Sequence, residues 1–347
     1  MYPFPCGPTA LALYTLLKCK VSPKDGSITR GFAWIKDNNH DKPQSSYEVS
    51  MLLLAVTATA DQGKTLKASD KANAKEKLTG PMRAWAQALA ADLVDRRKAR
   101  GWRYQVPSGG GGEEEDVSST QLAALALFAA HRAGIKVKNQ VWEDILEFTL
   151  AQQEDAGPEV TWEDPLTKQK EVHQARGFAY LKSMNDPEFN KPVGSMTACG
   201  VGNLMMARYI LTDAGRKRAE WDTRKDAATV QKAVYDGLAW LDHNWSPFNN
   251  PLKGNVDVYH LYWLYSFERM MDLIGKQLLG KHPWYSEMGQ QILNRQAADG
   301  SWNTQTTHEP QDTLDTCFAL LFLKRATKGL VPRGAVTGGD GAPADNR

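Results

Sequence analysis

The sequence lacks a surplus of charge of either sign: 42 Lys and Arg stand against 40 Asp and Glu, and no basic stripe interleaved with aromatics runs through it. That balance argues against a nucleic-acid-binding protein. Cysteine is scarce. The four present, Cys6, Cys19, Cys199 and Cys317, show no CxxC spacing and no histidines at zinc-finger distances, which excludes a structural zinc module and a dense disulfide framework. No apolar run reaches the roughly 20 residues of a membrane span. The start MYPFPCGPTALAL has no basic segment leading into an apolar one with a cleavage site, so it does not read as a signal peptide. The chain is expected to be soluble. The abrupt entry into a helical pattern also suggests a longer protein trimmed upstream of Met1, where any export signal would lie. The GGGG at residues 109–112 lacks the Lys-Ser/Thr of a phosphate loop and reads as a linker.

What the sequence does have is length for a large core, eleven tryptophans and a repeating helical pattern. Short helices, apolar nearly all round, open with a small polar residue: GPTALALYTLL from Gly7, SSYEVSMLLLAVTA from Ser45, DVSSTQLAALALFAA from Asp116, GSMTACGVGNLMMARYIL from Gly194, NVDVYHLYWLYSFERMM from Asn255 and DTLDTCFALLFLKRA from Asp312. Thr9, Thr120, Thr197 and Thr316 each precede an alanine or glycine three residues on. Between these segments lie amphipathic helices from Ser27, Pro81, Asn139, Asp226 and Tyr285, with Ser27, Asn139 and Asp226 expected as N-caps. Helices buried on every side alternate with half-exposed ones, six against five. The pattern predicts an all-α fold of two concentric layers, an inner ring sheathed by an outer one.

The connections carry glycine, proline and charge. VPSGGGGEEED at residues 106–116 reads as a flexible acidic loop, and EDAGPEVTWEDPLTKQKEVHQ as a surface excursion or short hairpin. The expected organisation is one domain over residues 1–327, then a disordered tail over 328–347 whose LVPRG resembles a protease site.

The run QAADGSWN, residues 296–303, resembles the Gln-Trp repeat of squalene and hopene cyclases, and ARGWRY from Ala99 and ARGFAY from Ala175 are degenerate versions. With the alternating helices, these motifs resemble the terpenoid cyclase and protein prenyltransferase superfamily, in particular bacterial squalene-cyclase-like repeat proteins. The resemblance implies an α/α toroid over most of residues 7–327. It also implies three chemistries to test against the residues. Cyclases protonate an alkene with Asp-x-Asp-Asp-Thr; in register stand Asp312, Thr313, Leu314, Asp315 and Thr316, with leucine at the acid position. Prenyltransferases hold zinc with an aspartate, a cysteine and a histidine; the corresponding places resemble Asp257, Tyr259 and Asp315, leaving oxygen ligands that suit zinc poorly, with His260 as a substitute ligand. Complement-type thioester domains carry Gly-Cys-Gly-Glu-Gln; Ala198 to Gly202 hold the cysteine without the glutamine.

What remains is an acidic rim. Asp116, Asp257, Asp312 and Asp315 are expected at the inner-helix ends with Ser118, Ser119, Thr120, Ser195, Thr197, Tyr259 and His260, walled by Tyr47, Tyr262, Trp263 and Phe318, with Cys317 beside them. Each aspartate can equally be a helix cap. The rim is expected to bind a small hydrophobic or carbohydrate ligand or a protein partner. The competing expectation is an enzyme acting on an isoprenoid or polysaccharide, with Asp257, Asp312 and Asp315 as catalytic candidates and Asp257, His260 and Asp315 as weak metal candidates; no cofactor is identified.

Overall fold

The computed structural model describes residues 6–38, 43–61, 78–103, 114–163, 170–213, 217–252, 259–304 and 311–325. Among them are twelve α-helices: α1 (Cys6–Lys18), α2 (Gly26–Asp37), α3 (Ser46–Ala58), α4 (Gly80–Asp95), α5 (Val117–Arg132), α6 (Asn139–Ala151), α7 (Gly194–Leu211), α8 (Arg218–Asp222), α9 (Ala227–His243), α10 (His260–Ile274), α11 (Trp284–Asn294) and α12 (Gln311–Lys324). A single antiparallel hairpin, β1 (Glu159–Glu163) and β2 (Lys170–Gln174), interrupts the helical run. The fold is mostly helical, as the periodicity predicts. The expected tail and most of the glycine-rich acidic loop lie outside the described residues.

Helix burial follows the sequence pattern. In α3 every residue but Tyr47 is buried, and in α7 every residue but Leu211, as helices without a polar face require. In the amphipathic α2 only Ile28, Phe32 and Ile35 are buried. The apolar helices pack in a cyclic order. The contacts run from α1 to α3, α5, α7, α10 and α12, and α12 returns to α1. The amphipathic helices lie against this cycle: α2 on α1, α4 on α3 and α5, α6 and α9 on α7, and α11 on α10 and α12.

Helix starts are set by local bonds, and none of the three expected caps, Ser27, Asn139 and Asp226, caps a helix through its side chain. Ser45 and Glu48 form a capping box on α3. The same Glu48 accepts from the Cys6 amide at 3.1 Å through Oε1, tying the start of α1 to α3. Helix α2 is capped by Asp25, which accepts from the Ser27 amide at 2.8 Å. Asn139 is the first residue of α6 and not its cap. Asp226 occupies the cap position of α9, but its carboxylate is held by Arg224 at 2.7 and 2.9 Å and caps no amide. The hairpin is pinned to α9: Trp162 Nε1 donates to Asp242 at 2.7 Å, the His173 ring stacks on Tyr235 at 5.2 Å, and Arg176 bonds Asp236 at 2.7 Å.

Candidate functional site

The three Gln-Trp-like stretches make the same set of bonds. The amides of Trp102, Phe178 and Trp302 donate to the hydroxyls of Thr120, Thr197 and Thr316 at 3.0, 3.1 and 3.1 Å. The carbonyl just before each aromatic, on Gly101, Gly177 and Ser301, accepts from the amide of Lys98, Glu154 and Ala297 at 2.9 Å. The Trp102 and Trp302 indoles reach back to carbonyls of the preceding helix, Leu93 at 2.6 Å and Ile292 at 2.8 Å. Each loop therefore locks the end of an amphipathic helix onto the first turns of the next apolar one. The β1–β2 hairpin is an insertion between Glu154 and Gly177, inside the second of these loops.

This assignment decides where the expected rim residues point. Thr120 and Thr197 hold aromatic loops. Asp315, 1% exposed, accepts from the Thr304 amide at 2.8 Å and its hydroxyl at 2.7 Å, so it fastens the segment before α12. Asp312 is exposed and bonds Asn303 Nδ2. His260 has both ring nitrogens engaged, Nε2 with the Pro247 carbonyl at 3.1 Å and Nδ1 with Arg295 at 2.8 Å. A guanidinium can only donate, so Nδ1 is the acceptor and the ring is the neutral Nε2–H tautomer. Tyr259 is exposed, in the left-handed conformation with φ 66°, at the cap position of α10. Asp257 lies outside the described residues. No group of three or more His, Cys, Asp and Glu among the described residues could hold a metal ion. Ser195 pairs with Asn250 at 2.9 Å, and Trp263 turns away to the Ser246 carbonyl at 3.3 Å.

Asp116 is the fully buried aspartate of the rim whose carboxyl is perturbed. It caps α5, accepting from the Ser119 amide and hydroxyl, both at 2.7 Å, and has Arg103 Nη1 at 3.5 Å. Burial pushes its carboxyl up to about 6, against the lowering effect of Ser119, Arg103 and Tyr180.

Beside Asp116, side chains from different apolar helices meet. Tyr47 on α3 bonds Ser118 on α5 at 2.6 Å; Ser118 bonds Tyr262 on α10 at 3.1 Å; Tyr262 lies 3.5 Å from Cys199 on α7. Phe318 on α12 closes over this chain, edge-on to Tyr262 at 5.7 Å and stacked on Tyr265 at 5.6 Å. Tyr47, Tyr262 and Phe318 are only partly buried, whereas Ser118 and Cys199 are buried. Five members of the packing cycle thus contribute to one polar and aromatic cluster.

Further along α10, Ser266 and Arg269 follow Tyr262 at helical spacing, and Ser118 and Gln121 share a face of α5. Arg269 Nη2 donates to Gln121 Oε1 and Ser266 Oγ, both at 3.0 Å. Arg269, Gln121, Ser266 and Tyr265 carry no mark in the motif reading; the signal available was a polar residue at i, i+4 and i+7 in an otherwise apolar helix. Cys199 and Cys317 are buried thiols, raised by burial, Cys317 to about 11, which makes them inert at neutral pH.

A cleft of about 720 Å³ lies elsewhere, on the flank formed by α9 and the foot of the hairpin, lined by Glu154, Lys191, Trp240 and His243 among others. Its Glu154 is spent on the Gly177 amide at 2.8 Å. No helix among the described residues is long and apolar enough to cross a membrane. No protein-family model matches the chain, and no curated protein matches it.

Proposed function

We propose that the chain is an α/α toroid, similar to the squalene-cyclase-like repeat proteins, that binds a small ligand on the axis of its inner helices without the standard cyclase or zinc prenyltransferase chemistry. The observation that carries this reading is the hydroxyl and thiol chain Tyr47–Ser118–Tyr262–Cys199, contributed by four inner helices. A ring needed only for packing would fill its centre with apolar side chains. Here partly exposed aromatics flank polar groups, the make-up of a small-molecule site. The cyclase acid has no counterpart: leucine stands at its position, and Asp315 is committed to Thr304.

The test is native mass spectrometry of protein from its own host and after incubation with isoprenoid alcohols and oligosaccharides, for the natural sequence and for Ser118→Trp. The expected result is one ligand per chain, retained by the natural sequence and lost in S118W, which places an indole between Tyr47 and Tyr262. No adduct with any of these, or equal retention in S118W, would sink the reading.

One feature favours a catalytic version. Burial raises the Asp116 carboxyl to about 6 beside the same cluster, toward the range of a general acid. Turnover of a bound isoprenoid or glycan that Asp116→Asn abolishes without loss of binding would establish it.

A further inference from the structure

Arg269 is more deeply buried than Arg208, which is 8% exposed and bonds the neutral Gln231 Oε1 at 2.7 Å, and unlike two half-buried arginines it faces no carboxylate. Arg103 faces Asp116 at 3.5 Å and Arg325 faces Asp272. Arg269 is 1% exposed, its Nε and Nη1 hydrogens have no partner, and no carboxylate among the described residues pairs with it. The groups it does bond, Gln121 Oε1, Ser266 Oγ and the Tyr265 hydroxyl, are neutral. They orient the guanidinium without cancelling its charge. Its plane lies over the Tyr265 ring at 4.2 Å, a further favourable but weak contact. A fully buried cation left in this state is destabilising unless an anion accompanies it. Water can satisfy its N–H groups but not its charge.

The surroundings define what that anion would be. Arg269 stands two helical turns below Tyr262 on α10, on the face that carries Tyr262 and Ser266. Gln121 stands one turn below Ser118 on α5, so the polar stripes of the two helices face each other: Ser118 to Tyr262 nearer the helix starts, Gln121 to Arg269 further along. Phe318, Tyr262 and Tyr265 form an aromatic wall along this stretch. We propose that Arg269 binds the oxyanion head group of the axial ligand, with the aromatic wall taking an apolar body. A guanidinium with free N–H groups is suited to a carboxylate or phosphate. The inference rests on the axial site proposed above and specifies its ligand class.

Isothermal titration calorimetry with sodium octanoate, inorganic phosphate and farnesol, at ionic strength fixed with sodium chloride, tests it. Octanoate is expected to bind at one saturable site and to lose roughly tenfold or more in affinity in Arg269→Met, as removal of a charge-assisted hydrogen bond predicts. Arg269→Lys keeps the charge without the planar fork; it is expected to weaken octanoate several-fold, and it decides the matter if R269M does not fold. Phosphate binding with the same losses, in place of octanoate, would support the oxyanion site and assign a phosphate head group. Affinity unchanged in both variants, or no binding of either anion to the natural sequence, would overturn the proposal. Farnesol bound equally by natural protein and R269M would leave the axial site standing without its anion. No binding of any probe would remove both.

Discussion

The ring of Phe178 stands where a side chain on Gly200 would have to go: a Cβ there would lie 2.5 Å from Phe178 Cγ. Gly200 and Gly202 sit together in α7, two residues apart and alike in the sequence. The structure separates them. A Cβ on Gly202 meets nothing nearer than Leu273 Cδ1 at 4.0 Å, ordinary van der Waals contact.

Gly200→Ala is therefore expected to destabilise the protein by about 1–3 kcal/mol, because the Phe178 loop must shift to admit the methyl group. Gly202→Ala is expected to stabilise it by up to about 1 kcal/mol through helix propensity. Urea unfolding of the two variants checks both signs, and equal effects would refute the placement of Phe178.

The aromatic-to-threonine bond makes a second expectation. Thr316→Val keeps the shape of the side chain but leaves the Trp302 amide, and Thr120→Val the Trp102 amide, without the hydroxyl that accepts from it. Each is expected to cost about 1–3 kcal/mol, the penalty for a buried donor left unsatisfied, with Thr→Ser at the same positions costing less. Amide hydrogen exchange is the direct readout: protection at Trp302 should fall in Thr316→Val and persist in Thr316→Ser.

The same threonines show how much could be read in advance. Their spacing to a small residue is visible in the sequence, and so is the alternation of fully apolar and amphipathic helices, because burial on all sides leaves no polar face to misread. The bond each threonine makes is not visible, since its partner arrives from the end of the previous helix. At Phe178 the partner is further hidden by the hairpin set between Glu154 and Gly177. The rim aspartates misled for a related reason. A carboxylate at a helix start looks alike whether it faces a ligand or a neighbouring loop, and only the fold shows Asp315 turned to Thr304. Arg269 went unmarked because an arginine in a long helix normally signals a solvated face, and its burial is decided by α5, distant in sequence.

Asp312 and Asp315, alike in the sequence, should separate under mutation. Asp315→Ala removes the acceptor for both the amide and the hydroxyl of Thr304 and is expected to cost about 1–3 kcal/mol. Asp312→Ala, at an exposed position, should fall within about 0.5 kcal/mol of the natural protein. Thermal denaturation compares the two. Ligand binding on the axis should survive both substitutions; its loss in Asp312→Ala with stability intact would return that aspartate to the site.

The last expectation concerns pH. A carboxyl whose folded-state value is raised, as burial raises Asp116 from 3.8 to about 6, holds its proton more tightly in the folded protein than in the unfolded chain. Between those two values the unfolded chain has released the proton and the folded protein has not, so stability falls as pH rises through this window. Its contribution is fully favourable below about pH 4 and is lost above about pH 6, the span corresponding to roughly 3 kcal/mol. Other carboxylates act in the opposite sense, Asp226 among them, lowered by its bond to Arg224. The net curve therefore hides the term, and the comparison with Asp116→Asn isolates it. Asparagine retains the capping oxygen for Ser119 without titrating. The stability difference between D116N and the natural protein should thus grow in favour of D116N as pH is raised from 4 to 7, measured by urea unfolding at each pH. A pH-independent difference would mean that Asp116 is ionised throughout, paired fully with Arg103, and would remove the basis for assigning it an acid's role.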